Sequence, residues 1–169
     1  ALPISGLRIG MATIKGLSFG ANKPYISLSS LDGLAYSISH FNGIICPIMD
    51  ALRENVYTAL YKNEDGEFKN IMEPTPMELP DLLEMLKEKN EEVIFTGDGL
   101  LKHKEYIKEN FTNAKFAPNH VSLTRASSIG ELGLNLLKQG IKDDPNSAPV
   151  YLKKPQAERE LEKRMRMSE

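Results

Sequence analysis

The 169-residue chain is poor in cysteine, in histidine and in net charge: one Cys, three His and a formal charge of −2 at pH 7. Each scarcity excludes something. Cys46, alone in an apolar run, forms no disulfide within the chain, which fits a reducing compartment and an expected cytoplasmic location. A near-neutral chain has no general attraction for phosphate backbones, so it is not read as an autonomous nucleic-acid binder. There is no secretory leader pattern, and no apolar run is long enough to cross a membrane. His40, His103 and His120 lack the helical spacing that would put two imidazoles on one face, and neither a cysteine cluster nor a Walker-type loop is present. The serines stand in no motif and Cys46 is followed by Pro47, so no nucleophile–base pair can be assembled. The sequence therefore leads to no expected catalytic, metal or cofactor residue. The remainder, 41% hydrophobic and 26% charged, suits one domain or two small lobes.

The stretch that organises the chain is its opening. At about 3.6 residues per turn, Gly6, Gly10, Thr13, Leu17 and Gly20 fall along one stripe flanked by Leu7, Ile9 and Ile14, while Arg8 and Lys15 point the other way. An interior glycine costs a helix about 1 kcal/mol relative to alanine, so Gly10 and Gly16 lead one to expect another backbone, such as a sheet, pressed close against them. A phosphate cradle is the functional alternative, but it requires glycines in a loop at a helix start.

Asn22-Lys23-Pro24 should end this helix, and Tyr25–Ser29 reads as a short buried strand. Ser29 and Asp32 have capping-box spacing, which predicts a helix from Ser30 to His40, and Asn42-Gly43 marks a handover. Ile44–Met49 reads as a strand covered on both faces, with Pro47 suggesting an edge or bulge. Asn55–Tyr61 should pair with it, and Asn63-Glu-Asp-Gly66 should turn into a further strand over Glu67–Ile71. Pro74, Pro76 and Pro80 predict irregular chain up to a helix over residues 81–89 that buries Leu82, Met85 and Leu86. A strand over Glu91–Thr96 and a Gly97-Asp98-Gly99 turn should lead to a helix over Leu100–Asn110. A last helix is expected over Ile129–Gln139, with Gly140 as its cap and an apolar face of Ile129, Leu132, Leu136 and Leu137. A loop, a short strand over Val150–Leu152 and a charged tail follow.

Three places could carry chemistry, and each has a plainer reading. Asp50, Arg53 and Glu54 could form an acid/base site, or a turn held by an aspartate and an arginine–carboxylate pair. The Gly97-Asp98-Gly99 turn stands where anions bind, at a strand-to-helix junction, but its aspartate would repel phosphate. His40 near a helix end reads as a cap or a solvated group, His103 lies between Lys102 and Lys104 on the face expected to be exposed, and His120 lies in a loop.

Taken in order, Gly6-Leu-Arg-Ile-Gly10, Lys15-Gly16-Leu17, Ser29-Ser30-Leu31, Ile48-Met-Asp-Ala-Leu-Arg-Glu-Asn-Val-Tyr57, Thr96-Gly-Asp-Gly99 and Ala148-Pro-Val-Tyr-Leu152 resemble the TsaB (YeaZ) family over nearly the whole chain. The resemblance implies an α/β, actin-like (ASKHA, ribonuclease H-like) fold of two lobes with a mixed sheet. Residues 1–42 would be a helix-strand-helix remnant of the first lobe, 43–152 the second lobe with an antiparallel meander and helices, and 153–169 a charged tail. Family members enter Gly-Leu-Arg-Ile-Gly through a glycine-rich turn preceded by strands and a helix. Here Ala1-Leu-Pro-Ile-Ser5 stands in that place, so the expectation is an incomplete first lobe and a tendency to self-associate.

The implied role is a non-catalytic subunit that binds and activates the TsaD-type transferase making N6-threonylcarbamoyladenosine in tRNA. A TsaE-type ATPase would be a further partner, a homodimer is open, and tRNA would be reached only indirectly. The implied partner-binding residues are Leu7, Arg8, Met11, Ile14 and Lys15. The alternative is an ATP- or metal-dependent enzyme related to the TsaD-type (glycoprotease-like) subunits, for which no phosphate loop or ligand set is found in the sequence.

Overall fold

Strict alternation along two neighbouring strands sends one set of side chains to each face of a sheet, and both faces are covered by helices. The computed structural model describes residues 2–51, 54–144 and 146–152, with side chains from Gly6 onward. The strands are β1 (Ile44–Asp50), β2 (Asn55–Glu64), β3 (Glu67–Glu78), β4 (Val93–Thr96) and β5 (Ala114–Phe116). They lie in the order β3-β2-β1-β4-β5. β2 runs antiparallel to β1 and β3, whereas β1, β4 and β5 are mutually parallel. The helices are α1 (Leu2–Ala21), α2 (Ser30–Tyr36), α3 (Leu79–Lys89), α4 (Leu100–Asn110) and α5 (Ala126–Lys138).

From β1 and β2, Ile44, Cys46, Ile48, Val56 and Leu60 join one core with Leu79, Leu82, Leu83 and Leu86 of α3 and Leu100 and Ile107 of α4. Ile45, Ala59 and Tyr61 point the other way, into a second core with Leu31, Leu34 and Ala35 of α2 and Ile38 just beyond it. The expected burial of Leu82 and Leu86 is met, with Met85 packed at the margin of the first core.

α2 sits where its cap places it. The Ser29 hydroxyl accepts from the Leu31 amide at 3.2 Å, and the Asp32 carboxylate accepts from the Ser29 amide at 2.7 Å. The second carboxylate oxygen of Asp32 accepts from the Tyr61 hydroxyl at 2.6 Å, tying the helix start to β2. Gly33 lets α5 approach: a Cβ added there would lie 2.7 Å from Ile129 Cγ1. The helix ends at Tyr36 instead of His40, and residues 37–40 continue as turns.

Several other expectations change. Pro47 lies in the central strand; the β1–β2 register passes over Cys46 and Pro47, and the parallel pairing with β4 carries that stretch. β3 runs straight through Pro74 and Pro76 because it forms the outer edge of the sheet, where a missing amide costs no ladder bond. Tyr25–Ser29 and Val150–Leu152 form no strand and are not paired into the sheet. β5, too short to signal itself, was not foreseen, and α5 begins three residues earlier than expected, at Ala126. The Asp65-Gly66 turn is as expected, with φ of 55° and 83° at its two central residues and Glu64 paired to Glu67. Arg53 and the tail 153–169 lie outside the described residues.

Candidate functional site

α1 is 20 residues long and closes with Asn22 at φ 50°, the Lys23 amide donating to the Ser18 carbonyl at 3.0 Å. It meets the rest of the described chain through its basic face. Arg8 Nε donates to the Tyr151 hydroxyl at 3.1 Å, with the guanidinium 5.8 Å from the centroid of that ring. Lys15 Nζ donates to the Ser147 carbonyl. With Met11, Ala12, Ala148 and Pro149 these groups line an open cleft of about 240 Å³.

Of the five residues singled out in the sequence, Arg8, Met11 and Lys15 thus come together, at positions i, i+3 and i+7 of one helix face. Leu7 and Ile14 flank the cleft and are 54% and 50% exposed. The small-residue stripe faces away from it. A Cβ added at Gly6, Gly10, Gly16 or Gly20 would find nothing within 4 Å, and Ile9, Leu17 and Phe19 are 66%, 64% and 91% exposed. The expected close approach of a second backbone to Gly10 and Gly16 is therefore absent among the described residues. The helix is held by polar contacts on its other side.

The segment over α1 is anchored at its near end. The Asp143 amide donates to the Tyr25 carbonyl at 3.0 Å, and Asp143 Oδ2 accepts from the Ser27 amide and the Ser147 hydroxyl at 3.1 and 3.2 Å. The Tyr25 hydroxyl donates to the Asp144 carbonyl at 2.9 Å. These bonds fix Asp143, Asp144 and Ser147; from Ala148 onward, among the described residues, the segment meets α1 through Tyr151 and the cleft.

The ends of the parallel strands gather the other candidates. The Gly97-Asp98-Gly99 turn is pressed onto β1: a Cβ at Gly97, whose φ is 110°, would lie 2.1 Å from the Ile48 carbonyl oxygen. The Gly99 amide donates to that same oxygen at 3.1 Å, and the Leu100, Leu101 and Lys102 amides donate to carbonyls of the turn. The amides that would cradle a phosphate are thus already engaged.

His103 is buried, against expectation. It shares the inner face of α4 with Leu100 and Ile107, a spacing visible in the sequence but masked by its lysine neighbours. Its Nε2 lies 3.9 Å from Asp50 Oδ1, with Lys102 Nζ 3.5 Å from the same oxygen. Burial, helped by the Lys102 charge, holds the imidazole below its usual pKa, against the opposing pull of Asp50 and Glu54. His40 and His120 are exposed on other elements. The Cys46 thiol is pushed up to about 12 by burial, partly offset by its contact with the Thr58 hydroxyl at 3.4 Å, so it is protonated and unreactive at neutral pH. Among the described residues no helix is long and apolar enough to cross a membrane.

A mixed five-stranded sheet with helices on both faces makes this an α/β protein, consistent with the actin-like class that the family match below carries. The sequence model for "TsaD: tRNA N6-adenosine threonylcarbamoyltransferase" matches residues 3–161, and the chain belongs to that family, with the TsaB/YeaZ assignment read from its motifs. The chain is 40% identical over 105 residues to the tRNA threonylcarbamoyladenosine biosynthesis protein TsaB of Bacillus subtilis (strain 168), a match covering 62% of this chain and 46% of that protein. The chain therefore spans about half the length of this curated relative. Two solved structures share its fold at 18% identity, each match covering 88% of this chain and 68% of the other. One is an uncharacterized protein with similarity to peptidase YEAZ from Pseudomonas aeruginosa, TM-score 0.68; the other is YeaZ from Pseudomonas aeruginosa, TM-score 0.63.

Proposed function

We propose that the chain serves in tRNA threonylcarbamoyladenosine biosynthesis as a non-catalytic subunit that binds and activates a TsaD-type transferase, with a TsaE-type ATPase as a further partner. The observation that carries this reading is α1, along one side of which Leu7, Ile9, Ile14 and Leu17 are each half exposed or more. The 40% identity to a protein named for that pathway supports the same reading. Leu7, Arg8, Met11, Ile14 and Lys15 form the partner-binding face. The same exposed surface suits a homodimer, and tRNA is reached through the partner. The working compartment is the cytoplasm.

The test is isothermal calorimetry between this chain and a TsaD-type subunit, followed by a transfer assay with the mixture. Saturable binding, lost in Ile14→Glu, and higher transfer with the chain present are expected. Turnover by this polypeptide alone, or no binding by wild type and variants alike, would overturn the reading.

A further inference from the structure

Three of the five partner-face residues are already engaged by the chain itself. Arg8, Met11 and Lys15 line the cleft whose other wall is the segment 147–151. This contact occupies the basic face of α1, not the apolar stripe, so it bears on the residues that confer charge selectivity. Among the described residues Arg8 meets the Tyr151 hydroxyl and ring, which are neutral groups. A carboxylate in the same place would form a charge-assisted and bidentate bond, roughly twice as strong as a neutral one.

The covering segment is also built unevenly. Its near half is fixed to Tyr25 and Ser27 by backbone and carboxylate bonds at Asp143, Asp144 and Ser147. Its far half shows Ala148 and Val150 exposed, Val150 at 82%, with the Tyr151 contact on Arg8 as its clasp. Such a segment can peel back from Ala148 without disturbing its anchor.

We propose that residues 148–151 are a displaceable strap over the basic face of α1, and that the partner which binds there does so with an acidic segment that evicts the strap. The inference rests on the partner-binding reading of α1 given above and adds its regulation and the partner's charge. Strap and partner compete for one face, so the apparent affinity is the intrinsic affinity reduced by the fraction of molecules with the strap open. The clasp is an exposed cation–π contact and one exposed hydrogen bond, so removing it raises affinity modestly.

The 169-residue chain and its Tyr151→Ala and Arg8→Ala variants are titrated against the TsaD-type subunit at low and high salt. Tyr151→Ala is expected to bind about threefold to tenfold more tightly than wild type. Arg8→Ala, which loses both clasp and anion contact, is expected to bind more weakly and with a flatter salt dependence. On complex formation, amide exchange should speed up at residues 150–152 and stay unchanged at residue 143. If wild type binds and Tyr151→Ala binds equally or less tightly, the strap falls while the partner reading stands. If binding is insensitive to salt and to Arg8, the acidic partner falls. If wild type and Tyr151→Ala both fail to bind, both readings fall together.

Discussion

α1 and α2 come from the same opening stretch and have opposite fates. The 20-residue α1 is the longest helix described, and its Leu7, Ile9, Ile14, Leu17 and Phe19 are half exposed or more. The seven-residue α2 would be marginal alone, yet Leu31, Leu34 and Ala35 are at most 2% exposed. Length and apolar content do not decide burial. A capped start, a carboxylate shared with β2 and a glycine where α5 crosses fix α2 on the sheet, whereas among the described residues α1 is joined to the rest by a few contacts of Arg8 and Lys15.

The comparison is broken most strongly by truncating one side chain on each helix. Leu34→Ala should cost about 2–5 kcal/mol in urea unfolding, and Leu17→Ala on α1 less than about 0.5 kcal/mol. Equal losses would mean that α1 is as firmly packed as α2.

Next in size is Asp32→Ala, which removes the carboxylate half of the α2 capping box and the acceptor of the Tyr61 hydroxyl. A loss of about 2–3 kcal/mol is expected, with Tyr61→Phe costing less because the carboxylate keeps its bond to Ser29. A neutral Asp32→Ala would show that the cap does not hold the helix.

The glycines sharpen the contrast further. Gly33→Ala must push Ile129 aside and should destabilise by about 1 kcal/mol, whereas Gly10→Ala meets open space and should leave stability unchanged or raise it by up to about 1 kcal/mol through helix propensity. A destabilising Gly10→Ala would reveal a neighbour for the stripe, and sedimentation of that variant against wild type would show whether the neighbour is a second copy.

The smallest effect expected is the pH dependence set by His103. Its pKa is lowered in the fold, so the unfolded chain binds more protons, and stability falls as pH drops through the ordinary histidine value of about 6.5. His103→Leu should flatten the unfolding midpoint between about pH 7 and pH 5. An unchanged slope would mean that the imidazole is not held neutral by its surroundings.

Much of this was written locally. The capping box at Ser29 and Asp32, the Asp65-Gly66 turn, Pro80 at the start of α3 and the alternation of Asn55–Tyr61 each act over a few residues, so the sequence displays them directly. The second face of β1 was legible as well, since a continuous apolar run suits a strand covered on both sides. His103 was misplaced because two lysines beside it outweighed its spacing from Leu100 and Ile107, and β3 was cut short because only its edge position makes Pro74 and Pro76 tolerable.

The sequence by itself determined which residues start and stop helices, where the hairpins turn and which side chains share a face, because those depend on bonded neighbours and on period. Tertiary structure alone decided which faces found a partner. It set Gly33 against Ile129, left Gly10 facing open space, buried His103 beside Asp50 and laid Tyr151 over Arg8. These contacts join residues far apart in the chain, and no local pattern records which distant surface will arrive.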